Sequence, residues 1–317
     1  MPTDQPVGQA AAAASRVAVI IPVRNGGEVW RRTAASILAQ LRPPDHVLVV
    51  DSESSDDSVA VARDSGFELL SIAARDFDHG GTRQMAALRC GGFDVLIYLT
   101  QDAELAEPGS LGALLRAFDD PRVAVAYGRQ LPRRAAGPIE AHARLFNYPA
   151  TGQQRTLADV PRLGMKAAFT SDSFCAYRRA DLLAVGGFPQ RVIVSEDMLV
   201  AARVLQAGKA VAYVAEACVV HSHDYSVAQE FRRYFDIGVL HTRHSWLLHD
   251  FGHPDGEGLR FVVSEWRYLW RRAPWRLPVA GLRTLGKWCG YRLGRAHRRI
   301  PPAWCRRLSM QPAHWRV

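Results

Sequence analysis

The sequence predicts an α/β fold: a doubly wound, mostly parallel sheet with a helical C-terminal appendage. Three observations carry that reading. Short apolar, β-branched runs alternate with segments of helical spacing in the first third of the chain. Polar residues gather where each run ends. From about residue 226 the strand runs cease, and prolines at 274, 278, 301, 302 and 312 interrupt a helical pattern.

Residues 17–22 (VAVIIP) form a continuous apolar run, as expected of a strand buried on both faces. Residues 28–41 place Val29, Trp30, Ala34, Ile37, Leu38 and Leu41 at helical spacing. Residues 46–50 (HVLVV) make a second buried strand that ends at Asp51. Ser54, Ser55 and Asp56 can cap the next helix, which runs to about Asp64. A third strand is expected at 67–72, a third helix at 82–90 and a fourth strand at 94–99 (DVLIYL). Strands joined by helices imply right-handed crossovers and a parallel sheet. Beyond residue 100 the pattern predicts a helix at 111–118, a strand at 123–127 and a short helix at 140–146. Strand pairs follow within 165–177, then a helix at 199–206, strands at 210–214 and 217–220, and a helix from near Val227. Residues 1–15 contain an alanine run and lack a basic n-region, so they read as a disordered lead-in rather than a signal peptide.

The chain has 317 residues, 48% apolar and 22% charged, which suits a globular protein with a real core. No apolar run reaches the roughly 18 residues needed to span a bilayer. Five scattered cysteines without a Cys-x-x-Cys pair fit a reducing compartment better than a disulfide framework. The net charge of +9 is unevenly spread. From Arg260 onward there are 14 Lys and Arg against one acid, Glu265, a net of +13; the remainder is net −4. Such asymmetry points to an anionic partner, nucleic acid or a membrane surface.

Ligands of open α/β sheets bind beyond the carboxyl ends of the strands. Arg24, Asn25, Gly26 and Gly27, then Asp51, then residues 78–83, then Gln101 and Asp102 all fall at such ends. Singly, each could merely end a strand or cap a helix; together they point to one crevice. Asp51 can accept hydrogen bonds from a base or ribose. Gly26-Gly27 and Gly80-Gly81 permit close backbone approach, and the second pair precedes a helix N-terminus, a natural phosphate site. Arg83 can fork onto phosphate. No G-x-G-x-x-G follows the first strand and no Walker lysine motif occurs, which weighs against a dinucleotide oxidoreductase and a P-loop ATPase. On an extended segment, alternation would put Asp102 and Glu104 on one side, able to hold Mg²⁺ or Mn²⁺. The same argument groups His221 and His223. Glu196 and Asp197 open a helical segment, where acids either serve the helix dipole or act as a general base.

The order IIPVRNGG, VLVVDSESSDDS, the aspartate after LIYLT, and VGGFP followed by SED resembles glycosyltransferase family 2, over about residues 17–224. The resemblance implies a GT-A fold, a nucleotide-diphosphate sugar donor, an inverting mechanism and a divalent metal, Mg or Mn. It implies that Asp51 contacts the base, Asp102 binds the metal, and Asp197 is the catalytic base with Glu196 as its supporting neighbour. The nucleotide-sugar contacts expected are Pro22, Arg24, Asn25, Asp51, Ser54, Asp78, His79, Gly80, Arg83, Gln101 and Asp102. The expected metal ligands are Asp102, Glu104, His221 and His223, with His221 favoured over His223. FDHGGTR, LTQDA, VHSHDYS and RYFDIG further resemble bacterial rhamnosyltransferases of this family. That implies dTDP-L-rhamnose as donor and a lipid-linked O-antigen or related glycan as acceptor. A UDP-sugar donor is the alternative within the family. A nucleic-acid-binding protein is the alternative of another class, opposed by strand-end carboxylates that would repel phosphate without a metal.

The expected domains are a catalytic one at 16–225 and a basic, tryptophan-rich helical region at 226–317. In the latter, Trp266, Trp270, Trp275, Trp288, Trp304 and Trp315 are interleaved with arginines. Such a face suits peripheral attachment to the inner face of a bacterial plasma membrane. About half of these rings are expected to pack onto the catalytic domain instead.

Overall fold

The computed structural model describes residues 15–253 and 255–315, so nearly all of the expected lead-in lies outside the described residues. The first half reads β1 (Val17–Val23), α1 (Gly27–Leu38), β2 (His46–Asp51), α2 (Ser58–Asp64), β3 (Glu68–Ser71), α3 (His79–Arg89) and β4 (Val95–Leu99). There follow β5 (Glu104–Leu105), α4 (Ser110–Leu115), β6 (Val123–Leu131), α5 (Pro138–Asn147), β7 (Gln153–Arg155), α6 (Val160–Leu163), β8 (Phe174–Arg178), α7 (Arg179–Ala184), α8 (Glu196–Gln206) and β9 (Ala210–Val220). The chain then becomes helical: α9 (Val227–Arg243), α10 (Trp246–Phe251), α11 (Asp255–Arg272), α12 (Leu277–Arg295) and α13 (Pro302–Leu308).

One sheet runs in the order β3-β2-β1-β4-β8-β6-β9-β5, with β7 added on β9. Strand β1 pairs in parallel with β2 and β4, and β2 with β3, which is the doubly wound half the sequence predicts. The second half is mixed, because β8 inserts antiparallel between β4 and β6. Residues along β1 alternate between two cores: Ala18 and Ile20 face one, Val17, Val19 and Ile21 the other. Period-two alternation with both faces apolar is what a central strand requires.

Among the boundaries that differ from expectation, three have a clear physical reason. Helix α1 stops at Leu38 and leaves Leu41 exposed, since Arg42 precedes Pro43 and the residue before proline disfavours the α region. Within 165–177, β8 is the strand formed; a 3-10 turn (Gly164–Ala168) precedes it. The two strands expected at 210–220 are one, β9, in which residues 215–217 bulge past the β6 partners Gly128 and Arg129. A Cβ on Gly128 would collide with the Phe174 ring and the Ala217 carbonyl, so the bulge needs glycine there.

The helical tail shares a core with the sheet domain, since Phe235, Val239 and Leu240 of α9 belong to the same cluster as Tyr127 of β6 and Tyr177 of β8. Ser226 and Gln229 cap α9 reciprocally. Helix α12 lies against α9 through Gly290 and Gly294, where any Cβ would strike the carbonyls of Phe231 and Phe235. Asp236 of α9 accepts the Met310 N–H at 2.9 Å and so holds the final segment.

Candidate active site

Three strand ends meet at one rim. The Asn25 N–H donates to Ser54 Oγ (3.0 Å), Gly26 N–H to Ser58 Oγ (2.9 Å) and Gly27 N–H to Asp56 Oδ2 (2.9 Å). Arg24 N–H donates to Gln101 Oε1 (2.8 Å), and Gln101 Nε2 returns a bond to the Arg24 carbonyl (3.3 Å). At Gly26 and Gly27, where close backbone approach is expected, the amides are therefore already satisfied, and Gly26 is small because a Cβ would strike Trp30. Gln101 braces the β1 end against the β4 end. Pro22 pairs with Val50 inside the sheet, next to Asp51. Asp51 is buried and accepts Ser54 N–H on Oδ2 (3.2 Å); its Oδ1 has no hydrogen-bond partner among the described residues. A buried carboxylate oxygen left open is costly unless something donates to it.

Beyond β4 the chain makes a turn, with Ala103 N–H donating to the Thr100 carbonyl (3.1 Å). Strand β5 then pairs Glu104 with Val220 at the end of β9. This register brings Asp102 beside His221 and His223, with one ligand atom of each within 4.8 Å of the others. Nε2 of His221 lies 3.4 Å from Asp102 Oδ1, and Nε2 of His223 lies 3.8 Å from Oδ2. Glu104 does not join them. The turn breaks the strand alternation that would have aligned the two acids, and Glu104 pairs with Arg32 of α1 at 3.3 Å.

The protonation of His221 follows from its neighbours. Arg144 donates Nη1–H to Gln130 Oε1 (2.8 Å), and Gln130 Nε2 donates to Ser171 Oγ (2.8 Å). Arginine only donates, so the Gln130 atom facing it is the oxygen. His221 Nδ1 faces that same oxygen at 3.0 Å and must carry the hydrogen. Burial holds the imidazole below its ordinary value, although Asp102 pulls the other way, which favours the neutral ring; with the hydrogen on Nδ1, that ring turns the Nε2 lone pair toward Asp102. Burial, with His221 beside it, lowers His223 to about 4. Two acceptors thus face each other across the Asp102–His221 gap, an arrangement that a cation resolves. A carboxylate with two neutral imidazoles suits a divalent ion of the Mn²⁺ kind.

The second cluster lies where α3 meets α8. Ser195 adopts a left-handed conformation (φ 61°) and turns Glu196 and Asp197 into the first turn of α8. Arg83 of α3 is buried, with Nε 2.9 Å from Asp172 Oδ2 and Nη1 paired with Glu196. Nη1 also donates to the carbonyl of half-buried His79 (3.2 Å). The expected fork from Arg83 onto phosphate is therefore replaced by an internal ion network. The neighbouring motif residues are committed likewise. Asp78 Oδ2 caps α3 by accepting Gly81 N–H (2.7 Å) and accepts Arg191 N–H (3.0 Å). A Cβ on Gly80 would collide with the Pro189 carbonyl. Residues 78–83 thus support the loop leading into α8 instead of opening a phosphate cradle. Asp197 accepts Met198 N–H on Oδ1 (2.8 Å) and Asp172 N–H on Oδ2 (3.2 Å). Burial, reinforced by the Glu196 charge, pushes its carboxyl up to about 6.

Sequence reasoning missed Gln130, Arg133, Arg144, Ser171 and Asp172. Gln130 and Arg129 do break the apolar run of β6, which was the one available signal. Arg144 falls within the short helix expected at 140–146 and Asp172 within the strand pairs expected at 165–177, where neither pattern marks a polar site, and Arg133 stands in a stretch without clear periodicity.

A mixed sheet of this order, with a metal-competent cluster beyond its strand ends and an acid pair, Glu196 buried and Asp197 half-buried, at the start of α8, fits a nucleotide-sugar glycosyltransferase of the GT-A class. Residues 18–186 match the family model described as glycosyl transferase family 2, and the chain belongs to that family. It is 43% identical to the O-antigen chain rhamnosyltransferase RfbN of Salmonella typhimurium, over 95% of this chain and 96% of that one. It is 41% identical to the O-antigen chain rhamnosyltransferase WbaN of Salmonella anatum, over 94% and 95% of the two chains. Among solved structures, the mannosyltransferase PcManGT of Pyrobaculum calidifontis in complex with GDP-Man and Mn²⁺ aligns with a TM-score of 0.56 at 19% identity, covering 95% of this chain and 86% of that one. At that identity the likeness is one of fold.

Proposed function

We propose that the chain transfers L-rhamnose from dTDP-L-rhamnose, with inversion, to a hydroxyl of a lipid-linked glycan in O-antigen or related surface polysaccharide synthesis. The observation that carries this reading is the likeness to two O-antigen rhamnosyltransferases along almost the whole chain. In this reading Asp102, His221 and His223 hold the divalent ion, which when bound acts as a Lewis acid on the diphosphate leaving group. Asp51 offers its open oxygen to the base N–H. Thymine and uracil both present that donor, so the donor nucleotide has to be separated by experiment. Asp197 takes the proton of the acceptor hydroxyl as that oxygen bonds to the anomeric carbon. The anomeric bond to the diphosphate oxygen breaks from the opposite face, and its electron pair leaves with the diphosphate. Glu196 acts through Arg83, which keeps the loop around Asp197 in place. A base of this kind contributes about 10²–10⁴ in rate.

In the same reading residues 16–225 are the catalytic domain and 226–317 a docking region at the inner face of the bacterial plasma membrane. No helix among the described residues is long and apolar enough to cross a membrane. Trp266, Trp270, Trp275, Trp288 and Trp304 are exposed, while Trp315 packs against Phe235 and His297. Fewer of these rings turn inward than the half expected. Leu259, Val263, Trp266 and Trp270 share one exposed face of α11, with Arg260, Arg267 and Arg271 beside it. The single acid beyond Arg260, Glu265, is buried. Rings at the headgroups and guanidinium groups on anionic lipid would fit that face.

A panel of nucleotide sugars with Mn²⁺, read by hydrolysis and by protection against thermal unfolding, tests the donor. Turnover of dTDP-L-rhamnose is expected. Turnover of a UDP-sugar with none of dTDP-L-rhamnose would overturn the assignment in favour of the UDP-sugar reading.

A further inference from the structure

Arg83 is spent on carboxylates, which leaves open what carries the remaining positive charge toward a departing diphosphate. Arg133 answers to that description. It follows β6 by two residues, and its N–H donates to Ser222 Oγ (3.1 Å), between the two histidines of the cluster. Its Nη2 donates to Asp102 Oδ2 at 3.1 Å and to the Asp102 carbonyl at 3.3 Å. That is closer to the carboxylate than either imidazole comes. Its Nε and Nη1 donate to no protein group among the described residues, and its side chain is 36% exposed, within reach of a ligand. Arg83, by contrast, is 7% exposed at the side chain.

Two physical facts bear on this contact. A divalent ion on Asp102 would place like charge beside the guanidinium and take the oxygen it holds. An ion already shared with an aspartate keeps one net positive charge, less than the negative charge on a nucleoside diphosphate as it leaves. A second cation at the diphosphate is required, and guanidinium matches phosphate oxygens in a two-pronged geometry.

We propose that Arg133 is a catalytic residue that exchanges partners, from the Asp102 carboxylate to the donor diphosphate, when an ion takes Asp102. This inference rests on the metal and donor reading given above. On the diphosphate it stabilises the charge that develops as the anomeric bond breaks.

The exchange predicts effects of opposite sign from one substitution. In the full-length chain, Arg133→Met removes a competitor for Asp102, so Mn²⁺ alone binds more tightly than in the wild type. The same variant binds dTDP, at saturating Mn²⁺, more weakly by about tenfold or more. Its kcat falls by about 10²–10³. Arg133→Lys, which keeps a charge without the fork, recovers part of the dTDP affinity. Titration calorimetry with Mn²⁺ and then with dTDP reads both affinities, and the unfolding temperature without ligand checks the fold. A loss of Mn²⁺ and dTDP affinity together would show Arg133 to be a brace for the histidine loop and overturn the proposal. So would unchanged dTDP affinity in Arg133→Met. If the wild type binds neither Mn²⁺ nor dTDP, the metal and donor reading itself fails and this inference falls with it.

Discussion

The Asp172 N–H donates to Asp197 Oδ2 at 3.2 Å, one residue after Ser171 accepts a bond from Gln130 at 2.8 Å. Consecutive residues entering β8 thus hold the two halves of the site. Ser171 reaches His221 through Gln130, and Asp172 reaches the acid pair of α8. Strand β8 lies in the middle of the sheet between β4 and β6, so both halves hang on one rigid element. The relative placement of the Asp102–His221–His223 cluster and the acid pair is then set at the turn that enters this central strand.

Asp197 should impose a pH limit. Its carboxyl is pushed up to about 6 by burial and the Glu196 charge, and a base works only when ionised. Activity is therefore expected to rise as pH passes upward through about 6 and to be lost below it. Asp197→Asn should lose about 10²–10⁴ in kcat with an unchanged unfolding temperature. The acid limb of kcat/KM measures this, and a midpoint at the ordinary carboxylate value would detach that limb from Asp197.

The cluster should respond unequally to its parts. Asp102→Asn is expected to abolish transfer and Mn²⁺ binding while the fold persists. His221→Ala should weaken Mn²⁺ binding more than His223→Ala, because the His221 ring is buried and its tautomer is held by Gln130. Gln130→Leu should cost about 10–100-fold in Mn²⁺ affinity by releasing that ring. Calorimetric titration of Mn²⁺ into each variant decides; equal affinities throughout would remove both histidines from the ligand set.

Arg83→Met tests whether this arginine serves the fold or the donor. Its removal leaves Glu196 and Asp172 buried without their cation, a loss expected near 3–5 kcal/mol at neutral pH. Carboxylates stranded in this way bind protons more tightly folded than unfolded. The deficit is therefore largest above their raised folded values and shrinks as pH falls. Urea unfolding at pH 7 and pH 5 reads the difference. Full stability with weakened donor binding would return Arg83 to the phosphate.

The α11 face should carry lipid binding. Each basic residue at an anionic surface contributes about 1 kcal/mol, so Arg267→Gln with Arg271→Gln should weaken vesicle binding by about 2 kcal/mol, roughly 30-fold. Trp266→Gln with Trp270→Gln should weaken it on neutral and anionic vesicles alike. Point variants are preferable to truncation, because α12 is packed so closely on α9 that cutting the tail would bare the core. Sedimentation with phosphatidylglycerol and with phosphatidylcholine vesicles, at low and high salt, is the measurement. Binding equal to wild type in both pairs would assign the charge of this region to something other than a membrane.

Much of the fold was legible because burial writes a local pattern. The runs at 17–22, 47–50 and 95–99 are apolar at successive positions since both faces of those strands are covered, and β1, β2 and β4 form there. The helical spacing of Trp30, Ala34 and Ile37 is buried as read. The antiparallel entry of β8 was not legible, because a strand's direction depends on the path of the chain between elements and leaves no mark on its own residues.

The site divides in the same way. By itself the sequence determined which residues stand at strand ends, and so brought Asp51, Asp102, His221 and His223 into view, while an acid pair opening a helical segment brought Asp197. Only the tertiary structure decided what each side chain faces. Arg83 met Glu196, 113 residues away, and was withdrawn from the phosphate role. Glu104 met Arg32 and left the cluster, while Arg133 arrived at Asp102 from a stretch without periodicity. The physical reason is range. Hydrophobic burial repeats with the local period of a helix or strand, whereas a hydrogen bond or ion pair forms only at contact distance, and packing alone decides which distant residues reach it.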